Sequence, residues 1–378
     1  MATPDGTDTA LAGEIPFRPL SIAEILDGAI ACIRLYPRAV LGTSLLMTTV
    51  VQVAGSVAAY YFVGRTARDE VTPSWVVRSV GTQFTLGAFG LVLSAFAIVL
   101  LAGMLGPVIG RGLYGQPVPL RRAWRDTRPR LWRLVGTALV VTLVPLLGLA
   151  VPTLPFAAFV AVDAPAGAGV LSAVIGFPLG AVLMVWLYVL LVLAAPAVVL
   201  ERQSVGGALK RAYALSRGRW WRTFGTCLLA ILVTVFMGFF ALRIPFLLVE
   251  LIFFGGDAGA DGQGNEALFA LAVDTVGRIV SWTVVLPFDA GVIALLYLDR
   301  RMRREGLDLE LRTRAVERAA ARTGPVAGTG RAPEGENGEA RGEGADRRDP
   351  DDEFFETWEP PAPRHRAGPL PYETGAMP

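Results

Sequence analysis

Six apolar runs punctuate the chain, at about 39–63, 84–110, 134–161, 168–200, 223–254 and 267–298. Each is longer than an ordinary soluble strand or buried helix, and a bilayer crossing takes about 20 residues. Backbone polar groups in hydrocarbon must be satisfied within their own segment, so each run is predicted to be helical. Gly90, Pro145, Pro178, Pro245 and Pro287 interrupt the runs, as membrane helices tolerate. Runs above 30 residues must tilt or continue along an interface. The expectation is an all-α polytopic membrane protein with about six transmembrane helices.

The polar stretches between the runs orient the bundle. Residues 111–133 carry Arg111, Arg121, Arg122, Arg125, Arg128, Arg130 and Arg133 against Asp126. Residues 201–222 carry Arg202, Lys210, Arg211, Arg217, Arg219 and Arg222 against Glu201. By contrast, Asp163 is the only charge between the third and fourth runs, and Asp257, Asp261 and Glu266 stand without a cation between the fifth and sixth. The positive-inside rule then predicts a multi-pass protein of the plasma membrane with both termini cytoplasmic. The first apolar run follows an acidic N-terminus, which is not the pattern of a secretory signal.

The two cationic stretches resemble each other. Residues 107–139 and 196–228 align at an offset of 89 without a gap. Pro107 meets Pro196, Arg121-Arg122-Ala123-Trp124 meets Lys210-Arg211-Ala212-Tyr213, and Gly136-Thr137 meets Gly225-Thr226. A weaker copy runs from Arg34-Leu35-Tyr36-Pro37-Arg38 to Gly42-Thr43. The predicted architecture is three repeated units, each an interfacial helix plus a helical hairpin, in parallel orientation. In the first copy Ser21 and Glu24 form a capping box. Ile22, Ile25, Leu26, Ala29, Ile30 and Ile33 then share a face that suits a helix lying on the membrane. Arg121, Arg122, Arg125, Arg128, Lys210, Arg211, Arg217 and Arg219 are the candidate contacts to anionic lipid, with a plain topology anchor as the other reading.

Composition adds a division. Of 378 residues 53% are hydrophobic and 18% charged, and the charge gathers toward the C-terminus. The expected parts are a disordered N-terminus over 1–14, a membrane domain over 15–310 and a mostly disordered cytoplasmic tail over 311–378. The tail ends in Asp351-Asp352-Glu353-Phe354-Phe355-Glu356-Thr357-Trp358-Glu359-Pro360, acids interleaved with aromatics. Phe354, Phe355 and Trp358 are candidate anchors for a cytoplasmic protein partner with a basic, apolar groove. A net charge of +2 gives no reason to expect nucleic acid.

Candidate chemistry is sparse. The two cysteines, Cys32 and Cys227, sit on separate segments, and the single His365 lies in the tail. No zinc, phosphate-loop or serine-hydrolase motif is present, so neither a cofactor nor a metal is expected. Asp274 and Arg278 can pair on one helix face near the outer surface. Asp289 is a candidate intramembrane polar site: a lone carboxylate there suits proton relay or cation coordination. It is neutral or near the cytoplasmic end instead if the helix breaks at Pro287.

Three stretches carry a family resemblance. These are Ile15-Pro16-Phe17-Arg18-Pro19-Leu20 with Glu24-Ile25-Leu26-Asp27-Gly28, Ala208 to Tyr213 with Arg219-Trp220-Trp221-Arg222, and Ala290-Gly291-Val292 with Leu296 to Asp308. Over about 15–310 the chain resembles a family of actinobacterial membrane proteins often labelled a glycerophosphodiester phosphodiesterase membrane domain. The resemblance implies association with such an enzyme and not the activity, because the hydrolase resides in a separate barrel domain. The leading expectation is therefore a non-enzymatic scaffold or accessory factor for envelope or lipid-related machinery. A transporter or lipid flippase is the alternative, and an intramembrane enzyme the second.

Overall fold

The computed structural model describes residues 20–63, 73–113, 120–162, 165–245, 248, 265–305 and 358. Among these the regular structure is helical throughout. The order is α1 (Ile22–Leu35), α2 (Pro37–Val63), α3 (Pro73–Leu113), α4 (Leu120–Thr127), a 3-10 turn (Arg128–Arg130), α5 (Leu131–Ala161), α6 (Ala166–Leu191), α7 (Ala194–Leu200), α8 (Val205–Ser216), α9 (Trp220–Val235) and α10 (Asn265–Glu305). A π-helix, Phe236–Arg243, continues α9. Six helical segments are long and apolar enough to cross a membrane: Pro37–Val57, Phe89–Gly112, Trp124–Phe159, Gly167–Leu200, Trp220–Gly238 and Thr275–Glu305. The chain is a multi-pass, all-α membrane protein.

Helix α10 is the hub. Its span is 72% buried, against 28% for those in α2 and α9. Helix α9 runs antiparallel beside it, as three contacts in one register show. Thr223 meets Arg300, Thr234 meets Asp289, and the bare Cα of Gly238 faces Val285. On another side α2 also runs antiparallel, joined through Ser44 and Thr48 to Thr283 and through Ser56 to Thr275. Pro287 explains one of these bonds. Proline has no N–H to give the carbonyl four residues earlier, and that carbonyl, of Thr283, accepts from Ser44 Oγ at 2.9 Å. The helix continues through Pro287 without ending.

Helix α1 opens on the expected capping box: Glu24 N donates to Ser21 Oγ at 3.2 Å, and Ser21 N to Glu24 Oε2 at 2.7 Å. Its placement differs from a helix lying flat on lipid. Leu20 N donates to Asp299 Oδ1, and nine residues later Ala29 packs on Gly291. Eight residues of α10 separate those two contacts, about 12 Å, so α1 lies lengthwise along α10. The reason is residue size. Gly28, Ala29 and Cys32 are buried with Ile25 and let the two backbones approach, while Ile30 stays 42% exposed.

Helices α5 and α6 form a hairpin held by glycine. A Cβ at Gly176 would stand 2.5 Å from the Pro152 carbonyl oxygen, one at Gly180 2.7 Å from that of Leu149, and one at Gly148 2.8 Å from Leu187 Cδ1. Leu147, Val151, Val174, Leu179 and Val182 on its flanks are exposed, as a lipid-facing surface requires.

Candidate functional site

Charged groups converge where the spans end. After α7 the chain turns at Glu201, which is 3% exposed. Ser204 then caps α8 by accepting from Gly207 N at 3.2 Å. Ala208, Ala212 and Leu215 bury the inner face of α8 and aim Arg211 back at Glu201, with Nε 3.0 and 2.9 Å from the two carboxylate oxygens. The hydroxyl of Tyr297 also donates to Glu201, and Arg301 Nε lies 3.8 Å from it. Glu305 closes the circle by pairing with both Arg211 and Arg301. Burial opposes the charge on Arg211, but Glu201 and Glu305 outweigh it and hold its pKa above the usual value.

One turn of α10 distributes its arginines among four neighbours. Arg300 donates to Thr223 Oγ1 at 2.7 Å and to the Arg219 carbonyl at 3.1 Å, holding the start of α9. Arg301 serves the Glu201 circle. Arg303 bonds Asp299 at 2.7 Å and, with Arg222, the Leu20 carbonyl at 2.8 and 2.6 Å, which clamps the start of α1. Arg304 donates to the Ala214 and Arg217 carbonyls, so a cation satisfies the free end of α8. A separate buried pair, Arg111 Nε to Asp126 Oδ2 at 2.9 Å, ties the end of α3 to α4. The run Asp299–Glu305 was not among the candidate site residues. Its signal was visible: six charges in seven residues directly after an apolar run that ends in Tyr297-Leu298.

Trp358, from the tail, lies at this end. Trp358 is 0% exposed, its carbonyl accepts from Arg301 Nη1 at 2.9 Å, and the guanidinium carbon stands 5.6 Å from the ring centroid. The sequence suggested an anchor for a partner protein. In this structure the basic, apolar seat that takes the indole belongs to the chain itself. Phe354 and Phe355 lie outside the described residues.

The proposed lipid contacts divide. Arg121, Arg125 and Arg128 of the first stretch are exposed, as are Lys210, Arg217 and Arg219 of the second. The Arg122 side chain lies outside the described residues. Arg211 is a correction: its side chain is only 19% exposed, because two carboxylates draw it inward. Trp132 and Trp221, 89 residues apart, are 85% and 77% exposed where α5 and α9 begin, the placement of interfacial aromatics.

Asp289 stands apart. It is 6% exposed and accepts from Thr234 Oγ1 at 2.7 Å. With α10 unbroken at Pro287, it lies within the Thr275–Glu305 span, 11 residues or about 16 Å from Arg300. The Asp274 and Arg243 side chains lie outside the described residues, so the expected Asp274 pairing does too. Among the described residues no group of three or more His, Cys, Asp or Glu is placed to hold a metal. Cys32 and Cys227 are buried free thiols.

This fold and site define a polytopic helical membrane protein with an ionic cluster where its spans end and an enclosed carboxyl group. Comparison with protein families, with curated proteins and with solved structures returns no match.

Proposed function

We propose that this is a non-enzymatic plasma-membrane protein with cytoplasmic termini, acting as a scaffold or accessory factor for envelope or lipid-related machinery. The observation that carries the reading is the docking of Trp358 on Arg301 beside the Glu201 circle. A surface that seats an indole and its backbone carbonyl is a receptor for an acidic-aromatic peptide, here supplied by the tail. Exposed Arg121, Arg125, Arg128, Lys210, Arg217 and Arg219, with Trp132 and Trp221, supply contacts to an anionic leaflet. The three-unit repeat is part of the proposal. Its support is that both aligned stretches tie a span's end to the next short helix by an ion pair, the span's end giving the cation in Arg111–Asp126 and the anion in Glu201–Arg211. The resemblance to the phosphodiesterase-associated membrane family points to lipid-related partners.

The test is purification of the full chain from its native membrane in mild detergent, beside a deletion strain. The expected result is a stoichiometric partner together with an envelope defect. No partner and no envelope phenotype would sink the proposal. A second reading, transport, is favoured by the Asp289 and Thr234 pair within the spans, and solute uptake that depends on Asp289 would select it.

A further inference from the structure

The acids where the spans end are all matched. Asp126, Glu201, Asp299 and Glu305 each have an arginine nitrogen at 2.7–2.9 Å. Asp289 has none among the described residues. Its one hydrogen-bond donor among those residues is the Thr234 hydroxyl. That hydroxyl is aimed away from its own helix. Thr43, Thr137 and Thr226 turn theirs back to the carbonyl four residues earlier, whereas Thr234 reaches across the seam to a carboxyl group.

Two irregularities flank the pair. Pro287 precedes Asp289 by two residues, and the π-helix opens at Phe236, two residues after Thr234. Departures from α to π geometry within a helix are frequent at functional sites. The ionisable neighbours are Tyr188 of α6 and Cys227 of α9, both neutral in their ordinary ranges at pH 7. At this level α1 brings Ala29 against Gly291 and α2 brings Ser44 against Thr283, neither of them charged. Thr234 lies 14 residues beyond Trp220, about 21 Å along α9, in a hydrocarbon core about 30 Å thick. An enclosed carboxylate at that depth without a cation is costly in its charged form.

We propose that Asp289 is an intramembrane proton-binding site. Oδ2 carries the proton while the site is closed to water. When water reaches it, the O–H bond breaks, the proton passes to water as hydronium, and the Thr234 hydroxyl stabilises the carboxylate left behind. The ligand is the proton, and the site goes beyond the scaffold reading without depending on it.

Infrared difference spectra of the full chain in lipid vesicles, taken between about pH 5 and about pH 9, test this directly. The expected result is a protonated-carboxyl band that is lost as pH rises and is absent in Asp289→Asn. Thr234→Val keeps the acid but removes the donor to its charged form. It should raise the midpoint by about one pH unit, a tenfold change in proton affinity. An Asp289 band present at every pH would make the group a permanently neutral structural bond. No such band at any pH would make it a permanent carboxylate. Loss of the band on adding sodium at constant pH would make it a cation site. Each of these outcomes overturns the proposal.

Discussion

At the C-terminal end of α10 helices are joined by charged groups, and in the α5–α6 hairpin by the near absence of side chains. Around Glu201, Tyr297, Arg301 and Glu305 polar bonds between long side chains join the helices. Around Gly148, Gly176 and Gly180 backbone meets backbone or a leucine. The contrast follows from the solvent. Between spans apolar area gives no preference for protein over lipid tails, so association rests on close packing or on polar bonds. Where the spans end and water returns, charge can be used, provided each buried ion is matched. The two regions should therefore fail in different ways.

Removing a charge from this end of α10 gives the largest expected effect. Glu201→Ala leaves Arg211 and Arg301 facing each other with only Glu305 between them. Breaking a buried pair from one side costs about 3–5 kcal/mol. Thermal unfolding of the full chain in mild detergent would measure it, with a spin-label distance across α5 and α6 unchanged below the transition. A loss below about 1 kcal/mol would show that the circle is ornamental and that apolar packing holds this end.

Gly176→Leu is the counterpart. Its Cβ would need the space held by the Pro152 carbonyl, and backbone cannot rotate away. Overpacking of this kind costs about 1–3 kcal/mol. The same spin-label pair should now widen while the Arg301 and Trp358 contact persists. The hairpin and the circle share no residue, so the double variant should be additive within about 0.5 kcal/mol. Strong coupling would erase the distinction between the regions.

Trp358→Ala tests how much the tail adds to the ionic end. Burying an aromatic side chain is worth about 1.5–3 kcal/mol, and its contact with Arg301 adds to that. The expected outcome is a loss of about 2 kcal/mol and faster proteolysis of the tail, with the six spans intact. Unchanged proteolysis would show that Trp358 does not anchor it.

These regions were not equally legible in sequence. The six spans and the capping box at Ser21 were plain, because long apolar runs and a local spacing encode them. The division of the cationic stretches was not. Lys210 and Arg211 are neighbours with the same charge, yet one is exposed and the other bonded to Glu201, ten residues earlier. Helical phase decides that, and phase acts only once α10 is in place to bring Glu305. The apolar face of α1 could be seen, but not what would cover it. Small Ala29 and Gly291 chose α10 over lipid. Asp289 was visible as a lone acid, and its depth depended on whether α10 continues past Pro287, which the neighbouring Ser44 hydroxyl settles by satisfying the freed carbonyl.

The smallest expected effect concerns α1, which the ionic end holds through Asp299, Arg222 and Arg303. Cys32 on its inner face is 5% exposed, and burial pushes its thiol from the usual 9.0 up to about 12. Burial, with Cys32 nearby, also raises the Tyr36 phenol. Both groups are neutral when protonated, so the folded chain binds these protons more tightly than the unfolded one. Their contribution is complete below the unfolded value and is lost as pH rises toward the folded one. For Cys32 the loss begins near pH 9.0 and amounts to about 1.4 kcal/mol one unit higher. Stability measured across that window should fall with pH, and Cys32→Ala should flatten the slope while Gly176→Leu leaves it unchanged. Rapid maleimide labelling of Cys32 at neutral pH, with the spans still folded, would mean that α1 swings away from α10. The clamp at Leu20 would then be too weak to count among the bonds that hold this end together.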